Sequence, residues 1–458
     1  MVKPSTLAKR HRNGIDRKHI SSSERITKVT EESREPIYRL VIHSDAWDRI
    51  FGELSSGRQQ FAWGPIVRSY HPPYCDLIMQ NLKFATEFPK GSNHSLIFDW
   101  GIIDSPTSEN ESQIMEKLSG SEVQPHQLLA YVKAGIGSDH ERWIGAVKAD
   151  GRLLQISQIR LVGPGMRTLG RSFRTSVAIG AKAPRSDRWS RIEGVLGRKP
   201  FANFRRTPVL LIGAGRLASL LASSLIRNGL RELTIIDPDQ LEDHNRDSTF
   251  GNFPSDIGKG KAGVLARYLH RVRPQARITA IERDVGDDDI MERFRRASVV
   301  FSCVDNDQAR RIVAKRCAQL LLVHIDLGTL IRQNRLTSLE DRLLDHTGIK
   351  IDSNAAAEIV ADVRLMLPGA CLSCVGGLQA SDSVSEHESD LWRSGGRIGS
   401  LTSLNHLAVG TAQQLYFDLL TEHLTTSFWQ RIQWIQGTGL RTAGSAVSAD
   451  DPCEICGR

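Results

Sequence analysis

Apolar positions change their period several times along the chain, and each change marks an element. Val209–Ile212 is an unbroken apolar run of strand length, the pattern of a strand covered on both faces. From Leu217 to Leu225 the apolar positions recur at helical spacing. Leu233–Ile236 repeats the short run. Lys261–Val272 returns to the helical period and stops at Arg273-Pro274, because a proline cannot continue a helix. Arg277–Ile281, Ala297–Val304 and Leu320–Ile325 read as three further strands. Strands alternating with helices predict an α/β fold, a doubly wound, mostly parallel sheet that binds ligands at the carboxyl ends of its strands.

The pattern differs outside that region. Residues 1–35 are polar and predict a disordered tail. Residues 36–165 predict a separate accessory α+β domain. Tyr38–Ile42 is its first strand, and Ser44 is placed to cap a helix carrying Ala46, Trp47, Ile50, Phe51 and Leu54 on one side. Strand patterns recur around 63–69, 76–84, 96–102, 127–133 and 142–148, and Asp150-Gly151 marks a hairpin before Leu153–Val162. The polar, Ser/Gly-rich stretch 375–400 reads as a loop, and Gly399–Asn405 opens an apolar helix running to Leu420.

A chain of 458 residues with 40% hydrophobic and 24% charged positions fits two or three domains of a soluble protein. No apolar stretch approaches membrane-spanning length and the N-terminus lacks the pattern of a secretory signal, so cytoplasmic residence without a membrane partner is expected. The net charge of +8 is unevenly placed: residues 166–206 hold eleven Lys or Arg against two acids. No nucleic-acid fold signature accompanies them, so phosphate contacts or an acidic protein partner is the expected reading.

The candidate chemistry starts at the strand–glycine–helix turn. Gly213 permits a tight turn, Gly215 lets backbone approach a phosphate, and Ala218 lets the helix sit close to the sheet. Asp237 ends the next strand, where a carboxylate can accept ribose hydroxyls. A dehydrogenase would share these features. The residues that follow point elsewhere: Asp237-Pro-Asp239, then Asn245, then Gly258-Lys-Gly-Lys261 resemble the signature of ThiF-type adenylyltransferases, the ubiquitin-activating enzymes and their bacterial sulfur-carrier relatives. Arg188-Trp-Ser-Arg191 is similar to the Arg-Tyr-x-Arg of the family's entry helix, and the likeness covers about residues 185–458.

The resemblance implies a reaction. A protein's C-terminal carboxylate attacks the α-phosphate of ATP, giving an acyl-adenylate and pyrophosphate. A carboxylate is already ionised at neutral pH and needs no base, so positioning and cations carry the catalysis. Gly213, Gly215, Asp237, Asp239, Asn245 and Lys261 would bind the nucleotide; Lys261, Arg246, Arg191 and Asp305 would act on the phosphates, with Asp305 holding Mg²⁺. Arg191 would reach the partner's ATP across a homodimer. Asp305 has a competing reading as the cap of the next helix. The family's Asn-Leu-x-Arg is here Asn245-Arg246-Asp247-Ser248, so Arg246 either substitutes from two positions away or is a surface residue. A crossover loop at 375–400 would cover the substrate's C-terminal tail.

Four of the seven cysteines form two Cys-x-x-Cys pairs, Cys371/Cys374 and Cys453/Cys456, the pattern of a closed four-thiolate structural zinc site. No cysteine lies between Cys374 and Cys453, where activating enzymes that form a thioester usually carry one. The order of elements in 36–165 is similar to a JAMM-type deubiquitinase domain, but Lys133 and Gly135 stand where that family has its zinc-binding His-x-His, so the likeness implies a domain kept for binding. The leading expectation is therefore ATP-dependent activation of a ubiquitin-like protein for a conjugating enzyme, in a bacterial conjugation system of the kind used in antiviral defence. A sulfur-carrier or peptide adenylyltransferase and a non-catalytic nucleotide-binding scaffold are the alternatives.

Overall fold

The computed structural model describes residues 37–71, 74–87, 95–100, 114, 118, 128–136, 141–149, 152–170, 187–247, 249–333, 356–378, 401–435, 439–447, 453, 455 and 456. The expected tail at 1–35, the Asp150-Gly151 turn, Ser248 and all but the first residues of the expected crossover loop lie outside them. Residues 36–458 form one compact unit built on two sheets.

The first sheet contains, among the described residues, β1 (Ile37–His43), β2 (Phe61–His71), β3 (Tyr74–Met79), β4 (Lys83–Ala85), β5 (Ser95–Trp100), β6 (Leu128–Ile136), β7 (Glu141–Ala149), β8 (Arg152–Val162) and β9 (Arg167–Gly170). Its order is β1-β3-β2-β5-β6-β7-β8-β9, and β1 also pairs with β8, so the sheet closes on itself. Helix α1 (Ser44–Ser55) buries Trp47, Ile50 and Leu54 in the enclosed core beside Leu40, Ile42, Phe98 and Val132. Its cap is His43, not Ser44. His43 has the extended backbone a cap requires and its Nδ1 accepts the Asp45 N–H at 3.3 Å, whereas Ser44 is already helical.

Period-2 alternation explains how this sheet joins the second. Leu40 and Ile42 of β1, Leu77 and Met79 of β3, and Ile159 and Leu161 of β8 face the enclosed core. Their neighbours Val41, Ile78 and Val162 point outward and belong to the core of the second sheet. Arg39, Asp76 and Arg160 share that outward parity. Arg39 grips Asp76 with two hydrogen bonds of 2.7 and 2.9 Å, and Arg160 donates to the Ala297 carbonyl at 2.8 Å and to Ser298 Oγ at 2.7 Å. The accessory sheet is thus held by a buried polar seam. The boundary expected after residue 165 falls inside it, because β9 pairs with β8.

The second half begins with α2 (Ser190–Leu196) and α3 (Arg198–Arg206), two helices broken at Gly197 (φ 82°) where one entry helix was expected. Then follow β10 (Val209–Ile212), α4 (Arg216–Asn228), β11 (Glu232–Ile236), α5 (Lys261–Val272), β12 (Arg277–Ile281), α6 (Met291–Arg296), β13 (Val299–Ser302), α7 (Asp307–Gln319), β14 (Val323–Gln333), β15 (Ala356–Met366), α8 (Thr402–Leu420), β16 (Ser427–Ile435) and β17 (Gly439–Val447). The sheet order is β12-β11-β10-β13-β14-β15-β16-β17. Pairings from β12 to β14 are parallel, as expected; those from β14 to β17 are antiparallel, so the sheet is mixed. Strand β14 runs past Ile325 to Gln333 because β15 pairs along its length. Buried β10 and β13 lie at the centre, and α8 packs over α4 and β15.

Candidate nucleotide site and cysteine cluster

The parallel registers align Ile212 with Ile236 and with Ser302, so Gly213, Asp237 and Cys303 sit side by side at the carboxyl edge. Gly213 is required there twice over. Its φ is +97°, and a Cβ would stand 2.8 Å from the Cys303 carbonyl oxygen. Gly215 caps α4 without a side chain, leaving no side-chain oxygen over the first-turn N–H groups. That is the usual geometry for an approaching phosphate.

Asp237 has a structural task that its type alone does not reveal. It is buried, its Oδ2 accepts the Ala214 N–H at 2.6 Å, and its Oδ1 accepts the Asp239 N–H at 2.8 Å. Burial raises its pKa even though these two N–H groups favour the anion. Asp237 therefore clamps the glycine turn, and Asp239 is the acid turned outward. The Asp239 carboxylate meets Lys261 Nζ at 2.8 Å. A short ladder holds that pair: Lys261 N–H donates to Asp239 O, Leu241 N–H to Lys259 O and Gly258 N–H to Leu241 O, each at 2.8 Å. Gly258, at φ +83°, makes the return turn. A cleft between the turn and α5 is lined by Ala214, Leu241, Thr249, Phe250, Asn252 and Lys261. Leu241 and Phe250 escaped the sequence reading; their only signal is an apolar residue isolated in a polar loop.

Asn245 closes the 3-10 turn Asp243–Asn245, its Oδ1 accepting the Glu242 N–H at 3.2 Å. Arg246 pairs with exposed Asp243 at 3.0 Å, a contact worth little in water and readily exchanged for a phosphate. Arg191 is exposed on α2 and, among the described residues, is not part of the cleft lining. Asp305 is exposed just beyond β13. The cap of α7 is Asn306, whose Oδ1 accepts the Ala309 N–H at 2.8 Å, so the competing role for Asp305 is filled by its neighbour.

Beneath this edge lies a buried polar network that apolar periodicity hid. Ser302 Oγ donates to Asp326 Oδ1 at 2.6 Å and stands 2.7 Å from His324 Nε2; Arg310 and Arg364 approach Asp326 at 3.7 and 3.8 Å. The signal was available in the His324-x-Asp326 spacing, which puts both on one face of a strand. Burial, helped by Arg310 and opposed by Asp326, holds the His324 pKa down to about 4, from 6.5. Folded His324 thus stays neutral where the unfolded residue is protonated. Its contribution is complete above about pH 6.5 and is lost as the pH falls towards 4, by roughly 3 kcal/mol. Denaturant midpoints between pH 7 and 4 should decline accordingly, and His324→Gln should flatten the decline; an unchanged slope would refute the role given to His324.

The match to known proteins follows this geometry. The ThiF family model covers residues 190–392, from α2 through the turn, the clamp and the strand ends. This region is a ThiF family domain. Curated relatives of the ThiF domain include SUMO-activating enzyme subunit 2 of Dictyostelium discoideum, 30% identical over 31% of this chain and 22% of that protein. The NEDD8-activating enzyme E1 catalytic subunit of Caenorhabditis elegans is 30% identical over 29% of this chain and 30% of its own length. Ubiquitin-like modifier-activating enzyme 5 of Culex quinquefasciatus is 23% identical over 41% of this chain and 44% of its own. The chain thus spans less than half the length of these relatives. Among solved structures, E. coli MccB with ATP is 17% identical, covering 60% of this chain and 75% of that one, with a TM-score of 0.45.

Away from the cleft, Cys371, Cys374, Cys453 and Cys456 gather their sulfurs within 4.8 Å of one another, the single such metal-capable group among the described residues. Neighbouring Sγ atoms are 3.5, 3.6 and 3.7 Å apart. A tetrahedron with metal–sulfur bonds of about 2.3 Å has edges of about 3.8 Å, so the donor set and its size both fit zinc. The other thiols are quiet: burial pushes Cys75, Cys303 and Cys317 up. In the accessory sheet Lys133 lies on β6 in register with Asp99, which accepts a hydrogen bond from the Tyr131 hydroxyl.

Proposed function

We propose that this chain uses ATP to adenylate the C-terminal carboxylate of a ubiquitin-like protein. A carboxylate oxygen attacks the α-phosphorus, the bond to the bridging oxygen of the β-phosphate breaks, and pyrophosphate leaves. The observation that carries the reading is the Asp239–Lys261 pair, held by the Asp237 clamp over a turn whose glycine cannot be replaced. Asp239 would face the ribose, Lys261 and the α4 N-terminus the phosphates, and Asn245 and Arg246 would reach in from the loop whose Thr249 and Asn252 line the cleft. Asp305, freed from capping, would hold Mg²⁺, which neutralises charge building on the phosphates. A homodimer would bring Arg191 from the second copy, and the four cysteines would hold structural zinc. The activated protein would pass to a conjugating enzyme in a bacterial conjugation system serving antiviral defence, with the accessory sheet as a binding module.

A second reading has one observation behind it. No cysteine lies between Cys374 and Cys453, Cys75 and Cys317 are buried, and the half-buried Cys303 thiol is pushed up by its surroundings, which favours an enzyme that stops at the adenylate of a sulfur carrier or peptide. ATP–pyrophosphate exchange decides. Exchange that needs a ubiquitin-like protein with a free C-terminal carboxylate supports the first reading, and exchange with short peptides alone supports the second. ATP binding without exchange leaves only a scaffold.

A further inference from the structure

The basic stretch noted in the sequence converges at the opposite pole from the nucleotide cleft. Arg188, Arg205 and Arg273 place their guanidinium carbons 4.9, 5.6 and 5.0 Å from the centre of the Trp189 indole. They come from three separate places: the turn before α2, the end of α3 and the residue after α5. Arg231, at the start of β11, adds its charge to the group, as Arg206 does beside Arg205. Arg205, Arg231 and Arg273 stand ahead of β10, β11 and β12, so the cluster lies at the amino edge. The carboxyl edge and its cleft are a strand length away, about 17 Å for five residues.

This concentration of charge is uncompensated. Arg273 is 5% exposed, and its Nη1 donates to the Leu230 carbonyl at 2.8 Å. The Arg205 Nε is buried without a hydrogen-bond partner. The two nearby acids are already engaged, Glu193 with Arg198 at 3.4 Å and Glu232 with Arg277 at 2.6 Å. Among the described residues no carboxylate pairs with Arg188, Arg205, Arg206, Arg231 or Arg273. Burial first, and then the charges of Arg205, Arg231 and Arg188, push Arg273 down to about 10, and a bound anion would offset both. Gly229, whose φ of +113° favours glycine, turns the chain against the cluster, where a Cβ would touch the Trp189 ring and Arg205 at ordinary contact distance.

We infer that Arg188, Arg205 and Arg273, gathered on Trp189, with Arg231 next to the Leu230 carbonyl that Arg273 holds, form a second anion site that binds inorganic phosphate or pyrophosphate. Planar guanidinium forks match phosphate oxygens, and several of them suit a multiply charged anion better than a single carboxylate. The site rests on this geometry alone and stands whether or not the chain adenylates a protein. Titration calorimetry of the full chain without ATP tests it, using phosphate and pyrophosphate in parallel. Arg231→Gln, an exposed position, should weaken binding about tenfold or more, the effect of losing one charge-assisted contact. Arg205→Gln should act in the same direction, and Lys261→Ala, at the nucleotide cleft, should leave this binding in place. Absence of binding, binding indifferent to both arginine variants, or binding abolished by Lys261→Ala would each overturn the proposal. A larger response to pyrophosphate than to phosphate identifies the ligand as the longer anion, and equal responses identify the single phosphate group.

Discussion

Asp305→Ala should reduce ATP–pyrophosphate exchange about 10²- to 10³-fold, the scale seen when one preorganised charge-stabilising group is removed. The fold should survive. Asp305 is exposed and Asn306 supplies the cap of α7, so the substitution removes no buried contact. Its melting temperature should stay within about 2 °C of wild type, as for ordinary surface changes. Asn306→Ala makes the opposite prediction: about 1 kcal/mol of stability is lost with the cap, and exchange persists. Swapped outcomes, with Asp305→Ala melting early and retaining exchange, would show that Asp305 is structural after all. Because the two residues are adjacent, the pair separates chemistry from folding at a single loop.

The parallel half of the second sheet was legible because burial there is two-sided. Val209–Ile212 is apolar throughout, Leu233–Ile236 is apolar but for Thr234, and glycine or acid follows each at once, so strand and site announce themselves together. The antiparallel half was not legible. Strand β17 is exposed along nearly its whole length, and β14 beyond Ile325 carries Asp326 and Gly328, so hydrophobic period carries no signal for β17 or for the extension of β14. Pairing with β15 makes β14 long, and pairing is a tertiary fact. The seam with the accessory sheet was hidden for a related reason. Arg39, Asp76 and Arg160 look like surface charges in a one-dimensional pattern, and only their mutual contacts reveal that they are buried. Candidate site residues can be named by type, but the contacts each one makes cannot. Asp237 and Asp239 are two residues apart, and whether an acid faces backbone or solvent depends on which N–H groups the fold brings to it.

Loss of the cysteine cluster should cost stability without removing a reactive group. Cys371 and Cys374 follow β15, while Cys453 and Cys456 stand at the far end of the chain, so a shared ion would close a loop of 82 residues between Cys371 and Cys453. By the entropy of loop closure a clip of that span restrains the unfolded chain by roughly 4–5 kcal/mol. The small cluster of Ala314, Met366, Leu372 and Val375, with Val447 and Ile455 packed against it, depends on the same closure. Cys453→Ser, or treatment with a strong zinc chelator, should therefore lower the melting temperature by roughly 10 °C, taking a few degrees per kcal/mol. Metal analysis should find one zinc per chain in the wild type and none in the variant. Nucleotide binding below the new melting point should persist, since neither Asp239 nor Lys261 touches the cysteines. A chelated protein that melts as before, or a wild type free of zinc whose thiols instead titrate as an interconverting disulfide pair, would make this a redox site rather than a structural one.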